Sequence, residues 1–405
     1  MRGFDELKSA YLRMKSQKVK EKEDLRYIEY VCDETGWPFE KAKDAMDTAK
    51  KDGISYKYYA KRKMWAKTEK EMEKAKRNIS HVTERNRKEK EHAIEEIIAA
   101  TGWTRSKALE MFRAAKLNCG CCYKDYYKFK LYDRTPEEQR EYLTLKISEE
   151  MLFKYNKDPE ALNLLLYKGR FAKEFTDLFH RKWFINRNLS FEKFLKSIEG
   201  VEDLICKPTS ATQGKGIIKV HCGKDADKKA VYQQLIGMDK RMICEERIIQ
   251  HPDIAAFNTS SVNTVRVLTI MKDDQCHHVY AGFRMGRGGI VDNFHAGGVI
   301  ASVDPKTGVT CTDAVDVAGN HYAVHPGSQL PVLGFQIPHW DQVLSLTEQA
   351  ARRIKGVGMI GWDVAITEKG VCLIEGNSQS SYQIIQLPYV DAGIGMKKLF
   401  TPFLD

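Results

Sequence analysis

The stretch Gly361-Trp362-Asp363-Val364-Ala365-Ile366-Thr367, the turn Glu368-Lys369-Gly370 and the run Val371-Cys372-Leu373-Ile374-Glu375-Gly376-Asn377 decide how this chain is read. Two apolar runs of strand length joined by a short polar turn form an antiparallel hairpin, which sets Asp363 and Glu375 on neighbouring strands. Strand alternation then puts Glu375 and Asn377 on one face. Acids inside apolar strands are costly unless something compensates them. A hard divalent cation does so, since Mg²⁺ takes one or two carboxylates together with substrate phosphates and water. Two such ions about 3.5–4 Å apart would clamp a transferring phosphoryl group. A buried ion pair compensates the same acids without a metal, and both readings stand at this level.

Upstream of the hairpin, short β-branched runs bounded by Gly, Asp and Pro follow one another at residues 204–206, 217–220, 242–249, 261–271 and 279–285, with helical patterns at 227–236 and 340–355. The second half is therefore α+β with much antiparallel pairing. Within it, Cys206-Lys207-Pro208-Thr209-Ser210 leads through Gly214-Lys215-Gly216 into the next strand. Glycines let backbone N–H groups approach phosphate oxygens, and lysine adds a compact counter-charge. A P-loop is excluded, because Gly216 rather than Ser or Thr follows Lys215 and a strand rather than a helix leaves the loop. An ordinary hairpin is the competing reading. Arg266 and Arg284 sit in strand-like runs, where an inward guanidinium needs an anionic partner such as a phosphate or carboxylate. Asn293 and His295 precede Gly297-Gly298, where His295 is either a substrate contact or a structural histidine.

The first half differs in character. Ile28-Glu-Tyr-Val-Cys-Asp-Glu-Thr-Gly-Trp37 is echoed by Ile94-Glu-Glu-Ile-Ile-Ala-Ala-Thr-Gly-Trp103, about 66 residues on, and each copy leads into a Tyr-rich segment. Each reads as helix, Thr-Gly-Trp turn, second helix and third helix. Residues 66–91 between them carry opposite charges three and four apart, as an exposed connecting helix does. The repeated tyrosines and lysines would suit single-stranded nucleic acid, but half-buried helix packing is the commoner use, and nucleic acid is not an expected partner. Residues 137–196 continue the helical pattern.

A chain of 405 residues with 42% hydrophobic residues supports two or three domains. The net charge of +10 favours anionic partners without choosing among them. The opening segment is charged, and no apolar stretch approaches the roughly 20 residues of a membrane span, so a cytoplasmic address is expected. Ten scattered cysteines read as reduced thiols. The cluster Cys119-Gly-Cys121-Cys122 lacks a second paired set at metal-ligand spacing.

The order of these motifs resembles the ATP-grasp superfamily, and in particular its sugar-transfer-associated group, through Cys206 to Gly216, Glu245-Glu246-Arg247-Ile248-Ile249-Gln250-His251-Pro252, Asn263 to Arg266, Asn293 to Gly298 and Gly361 to Asn377. The resemblance implies an α+β ATP-grasp domain, two α+β subdomains holding ATP between them, behind an α-helical repeat region. The expected boundaries are 1–135 for the repeats, 136–200 for a helical connector and 201–405 for the catalytic domain, with the grasp starting as early as 168. It implies Mg-ATP as the bound species, with one or two magnesium ions and manganese as a substitute. Lys207 would contact ATP phosphate or the adenine edge. Thr209, Ser210, Gly214, Lys215 and Gly216 would fold over the triphosphate, while Glu245, Glu246 and Ile248 would form the adenine and ribose hinge. Asn293 and His295 join this nucleotide-binding set. Asp363, Glu375 and Asn377 would hold magnesium, and Arg284 with Arg266 would neutralise the γ-phosphate, making Lys207, Arg266 and Arg284 the catalytic set. A further ATP lysine falls on Lys168 or Lys182.

The function implied is a carboxylate-amine ligase, ADP-forming, acting through an acyl phosphate in surface polysaccharide or related glycoconjugate or peptide synthesis. Its substrates would be a small carboxylate and an amine, sugar- or peptide-linked, with a protein partner docking on the helical repeats. A kinase on the same fold and a non-catalytic scaffold of a glycan-assembly complex are the alternatives. The helical repeats stand where many ATP-grasp enzymes have a substrate-binding α/β domain, so the substrate pocket does not carry over.

Overall fold

The computed structural model describes residues 40, 43, 44, 47, 84, 87–209, 216–288 and 297–404. Nearly all of the first repeat copy, most of the segment 66–91, and the candidates Ser210, Gly214, Lys215, Asn293 and His295 lie outside the described residues. The chain divides into two compact units, Met1–Asn118 and Cys119–Asp405.

In the first unit the second repeat copy forms a helix over residues 87–101, a turn, and helix α1 (Arg105–Cys119), which runs one residue past the unit boundary. Gly102 ends the first helix with φ +66°, and its N–H donates to Ile98 O at 2.9 Å. That left-handed closure favours glycine, which is why Thr-Gly-Trp reads as a helix stop. Thr101 Oγ1 accepts from Trp103 N at 3.3 Å, fixing the chain's exit.

The second unit begins with the cysteine cluster. Cys122 caps the helix Tyr123–Lys128 (α2): its Sγ accepts from Asp125 N, and the Asp125 carboxylate accepts from the backbone N of Cys122 and of Leu145. Helices α3 (Leu145–Tyr155), α4 (Pro159–Leu166) and α5 (Lys168–Glu174) follow, and then two antiparallel sheets. The smaller has the order β1-β4-β2-β3, with β1 Trp183–Ile185, β2 Asp203–Pro208, β3 Ile218–His221 and β4 Met242–Glu246. Helices α6 (Phe191–Ser197) and α7 (Lys228–Ile236) accompany it. Its core gathers Phe194, Leu204, Cys206, Val220, Leu235 and Cys244.

The larger sheet has the order β11-β10-β5-β6-β7-β8-β9. Its strands are β5 Thr264–Lys272, β6 Gln275–Met285, β7 Val299–Val303, β8 Ala314–Val315, β9 His321–Tyr322, β10 Met359–Thr367 and β11 Gly370–Asn377. Helix α8 (Trp340–Arg353) buries Trp340, Val343, Leu346, Thr347, Ala350 and Ala351, a stripe at helical spacing that packs on this sheet. Phe171 and Phe175 of α5 join the same core, with Phe175 edge-on to Trp362 at 5.7 Å.

The helical reading of 137–196 misses β1. Three residues with one buried side chain, Phe184, carry too little alternation to register as a strand, and pairing with β4 is what fixes them. The strand expected at 242–249 ends at Glu246. Beyond it, Arg247 N donates to Asp203 O beside β2, and His251 N donates to Ile366 O on β10. Residues 247–250 thus carry the chain from the smaller sheet to the larger.

Candidate active site

Register across the large sheet builds a row of charge. Asp363 on β10 lies directly opposite Glu375 on β11 and directly opposite Arg266 on β5. Arg266 faces Gly282 on β6, and Arg284 stands two residues further along that strand on the same face. Two acids and two arginines therefore line up across four strands, on the face opposite Trp362, which is buried in the core.

The row depends on a bulge. Asp363 pairs with Glu375 but Val364 pairs with Leu373, so Ile374 is the extra residue. In a regular strand Leu373 and Glu375 would share a face. The bulge lets Leu373 enter the core while Glu375 turns to the charged side.

Asp363 is buried, and both of its oxygens accept from guanidinium groups. Arg266 Nε donates to Oδ1, Arg266 Nη2 to Oδ2 at 2.9 Å, and Arg284 Nη1 to Oδ2 at 2.7 Å. Burial raises the Asp363 pKa, but Arg266 and Arg284 outweigh it, with a hydrogen bond shared with the Glu375 carboxyl, and hold it down at about 2. The buried ion pair left open by the sequence is thus present, and the arginines expected to face a phosphate face Asp363. Asn377 Nδ2 donates to Glu375 Oε1 at 3.2 Å. Glu375 and Asn377 are half-buried.

Asp363 and Glu375 lie directly opposite each other on neighbouring strands. With the Asn377 amide they make an all-oxygen donor set that fits a hard divalent ion. Glu375 and Asn377 fit it best, because Asp363 already serves two guanidiniums.

Gly361 lies beneath this row. A Cβ there would meet Ser380 Oγ at 2.5 Å, Ser380 Cβ at 2.9 Å and Arg266 Cδ at 3.1 Å. Ser380 Oγ in turn accepts from Arg266 Nη1 at 3.4 Å. Gly361→Ala is expected to cost about 1–3 kcal/mol by overpacking. Chemical denaturation measures that loss, and a variant as stable as the parent would show that the segment around Ser380 yields freely.

The smaller sheet supplies cations. On β2, Leu204 and Cys206 point into its core, so Lys207 takes the opposite face, shared with Ile243 and Glu245 of β4. Ile243 belongs to the core of the larger sheet, so this face of the smaller sheet turns toward the larger one. Lys207 Nζ donates to Glu245 Oε2 at 3.2 Å, and Arg181 donates to the same oxygen from Nε at 3.0 Å and Nη2 at 2.8 Å. Burial pushes the Glu245 pKa up, and Lys207 and Arg181 together bring it below the usual carboxyl value. The Glu245 side chain is therefore engaged with these cations rather than presented to an adenine. Glu246 Oε2 accepts from Lys182 N at 3.1 Å, and Ile248 is half-buried in the crossing segment.

Lys168 opens α5, and its N–H donates to Thr209 O at 3.4 Å, tying that helix to the chain just after β2. Burial lowers the pKa of its ammonium, Glu375 raises it, Lys207 lowers it and Glu245 raises it. Lys168 thus stands within electrostatic reach of both sheets' charged residues. Lys182, its rival by position, is bonded through Nζ to Glu199 O. Gly216, ahead of β3, has φ +77°. Arg181 gave no sequence signal: inside His180-Arg181-Lys182 it reads as surface charge, yet its side chain is 3% exposed.

Two α+β lobes, one offering lysines and the other acids and an amide, are the arrangement of an ATP-grasp domain. The profile of the family described as sugar-transfer associated ATP-grasp matches residues 183–398, and the chain belongs to that family. The comparison with curated proteins gives no match. Among solved structures, D-alanyl-alanine synthetase A from Vibrio cholerae O1 biovar eltor is 12% identical over 61% of this chain and 66% of its own, with a TM-score of 0.37. The ATP-grasp ligase PsnB with a precursor peptide and AMPPNP is 17% identical over 59% and 60%, at 0.34. The D-alanine–D-alanine ligase from Bacillus anthracis is 13% identical over 63% and 72%, at 0.36. The chain thus spans 60–66% of the length of the first two. No helix among the described residues is long and apolar enough to cross a membrane.

Proposed function

We propose that this chain is a Mg-ATP-dependent ligase that activates a carboxylate as an acyl phosphate for attack by an amine, releasing ADP and phosphate. The observation that carries the reading is the charged row Glu375-Asp363-Arg266-Arg284 on one sheet, with Lys168 in electrostatic reach of both Glu375 and Lys207. Lys207 and Lys168 hold the phosphates of ATP as point charges, and Thr209 and Gly216, with Ser210, Gly214 and Lys215 outside the described residues, belong to the same proposed phosphate-binding set. Glu246 and Ile248 border the adenine and ribose in the segment that crosses between the sheets. Asn293 and His295, which lie outside the described residues, complete the proposed nucleotide-binding set.

A substrate carboxylate oxygen attacks the γ-phosphorus, the bond to the β–γ bridging oxygen breaks, and ADP departs. An amine then adds to the carbonyl carbon and loses its proton, and phosphate leaves. Arg266 and Arg284, fixed in place by Asp363, stabilise charge on the transferred phosphoryl group. Glu375 and Asn377, with Asp363, would hold magnesium, whose part is to neutralise charge on the phosphate oxygens. The rest is positioning, since phosphoryl transfer asks little covalent chemistry of a protein. The family's association with sugar transfer supports a place in surface polysaccharide, glycoconjugate or peptide synthesis in the cytoplasm, with the helical repeats docking a partner of that machinery.

Purified protein given Mg-ATP, candidate acids and amines is expected to release ADP and phosphate with a new amide. AMP as the sole nucleotide product would overturn the mechanism, and a stable phosphorylated product would make the protein a kinase.

A further inference from the structure

Arg181 has no part in the sequence motifs, yet it occupies the junction of the two sheets. Its Nη1 donates to Leu373 O on β11 at 2.7 Å and to Phe179 O at 3.0 Å, while Nε and Nη2 both donate to Glu245 Oε2 on β4. Its guanidinium stacks on the Phe179 ring at 3.5 Å. Arg181 is 3% exposed and Glu245 5%, whereas Lys207, which shares the same carboxylate oxygen, is 19% exposed.

We infer that Arg181 is a positioning residue that neutralises Glu245 so that the charge of Lys207 remains available to a nucleotide phosphate. This rests on the proposal that Lys207 binds ATP. Glu245 receives its two shorter contacts from Arg181 and the longer one from Lys207, so the buried carboxylate is satisfied without holding Lys207 fast. Arg181 and Lys207 pair with Glu245, and Lys168 lies within electrostatic reach of Glu245 and Glu375, so the three cations outnumber the two carboxylates by one. Without Arg181 that excess vanishes, and Lys207 becomes the near partner of a buried anion that cannot go uncompensated. The Leu373 contact adds a second consequence: the residue that frees Lys207 also ties β4 to the strand that carries Glu375.

The test is equilibrium binding of AMPPNP with Mg²⁺ and, separately, of adenosine to the full chain. Arg181→Met is expected to weaken AMPPNP binding by at least about tenfold, the loss of one charge-assisted contact, while adenosine binding changes little. Arg181→Met/Glu245→Gln removes both charges, restores the excess cation and is expected to recover most of the affinity. Arg181→Lys keeps the charge and is expected to stay within about threefold of the parent even if it melts earlier. Equal loss of adenosine and AMPPNP binding, or a double variant no better than Arg181→Met, overturns the inference, and if the methionine variant fails to fold, a loss of about tenfold or more in AMPPNP binding by a folded Arg181→Lys does so. A parent chain that binds no AMPPNP overturns the nucleotide reading itself, and this inference with it.

Discussion

Asp363→Ala is expected to lower folding stability by about 3–5 kcal/mol, because it leaves two buried guanidiniums without their anion. Arg266 and Arg284 are each 8% exposed, and both turn to Asp363. Denaturant unfolding of the parent and variant, without nucleotide or metal, measures the effect. A loss below about 1 kcal/mol, the size of a surface pair, would mean that Asp363 contributes little until a ligand arrives. The same pair gives a pH dependence. The folded carboxyl is held at about 2, below its unfolded value of about 3.9, so its contribution is complete above that unfolded value and is lost as pH falls through about 2. Asp363→Ala should flatten the acid limb of the stability profile in that window.

Glu375→Gln is expected to do the reverse, sparing the fold and removing the chemistry. Glu375 is half-buried, accepts from Asn377 Nδ2 and shares a hydrogen bond with Asp363, which a glutamine amide can donate in its place. The glutamine keeps the shape and loses the charge that a divalent ion needs. ATP turnover should fall at least about a hundredfold, since metal-borne charge stabilisation is worth several kcal/mol. Raising the Mg²⁺ concentration should recover part of the loss. Turnover within about threefold of the parent would remove Glu375 from the metal set. A melting temperature close to the parent's would separate this variant from Asp363→Ala, so the two substitutions divide the row into a structural half and a chemical half.

Neither distinction is visible in the spacing of residues. The hairpin 361–377 was legible because two apolar runs joined by a Gly-containing turn have few other solutions, and the register of Asp363 against Glu375 agrees with it. Strands β2, β3, β5, β6, β10 and β11 were legible as short β-branched runs bounded by Gly, Asp and Pro, and helices α7 and α8 as the helical patterns between them. Strand β1 was not, because three residues in an aromatic, basic stretch owe their conformation to β4.

The partners of the charged groups were not legible either. A sequence shows that Arg266, Arg284 and Asp363 each need a counter-ion, and it shows a phosphate or a metal as readily as it shows each other. Which is chosen depends on three strands lying side by side in one register. Arg181 is the clearer case. Its burial follows from a contact with Glu245, 64 residues on, and another with Leu373, 192 residues on.

By itself, then, the sequence determined the class of fold, the strands that carry the chemistry and the residue types available to bind phosphate and metal, because local periodicity and turn chemistry depend on near neighbours. The tertiary structure alone decided that a bulge at Ile374 turns Glu375 out of the core, that Asp363 pairs with two arginines, and that Arg181 stands between Glu245 and β11. Long-range register and shared burial set those choices, and neither is a property of any short stretch of chain.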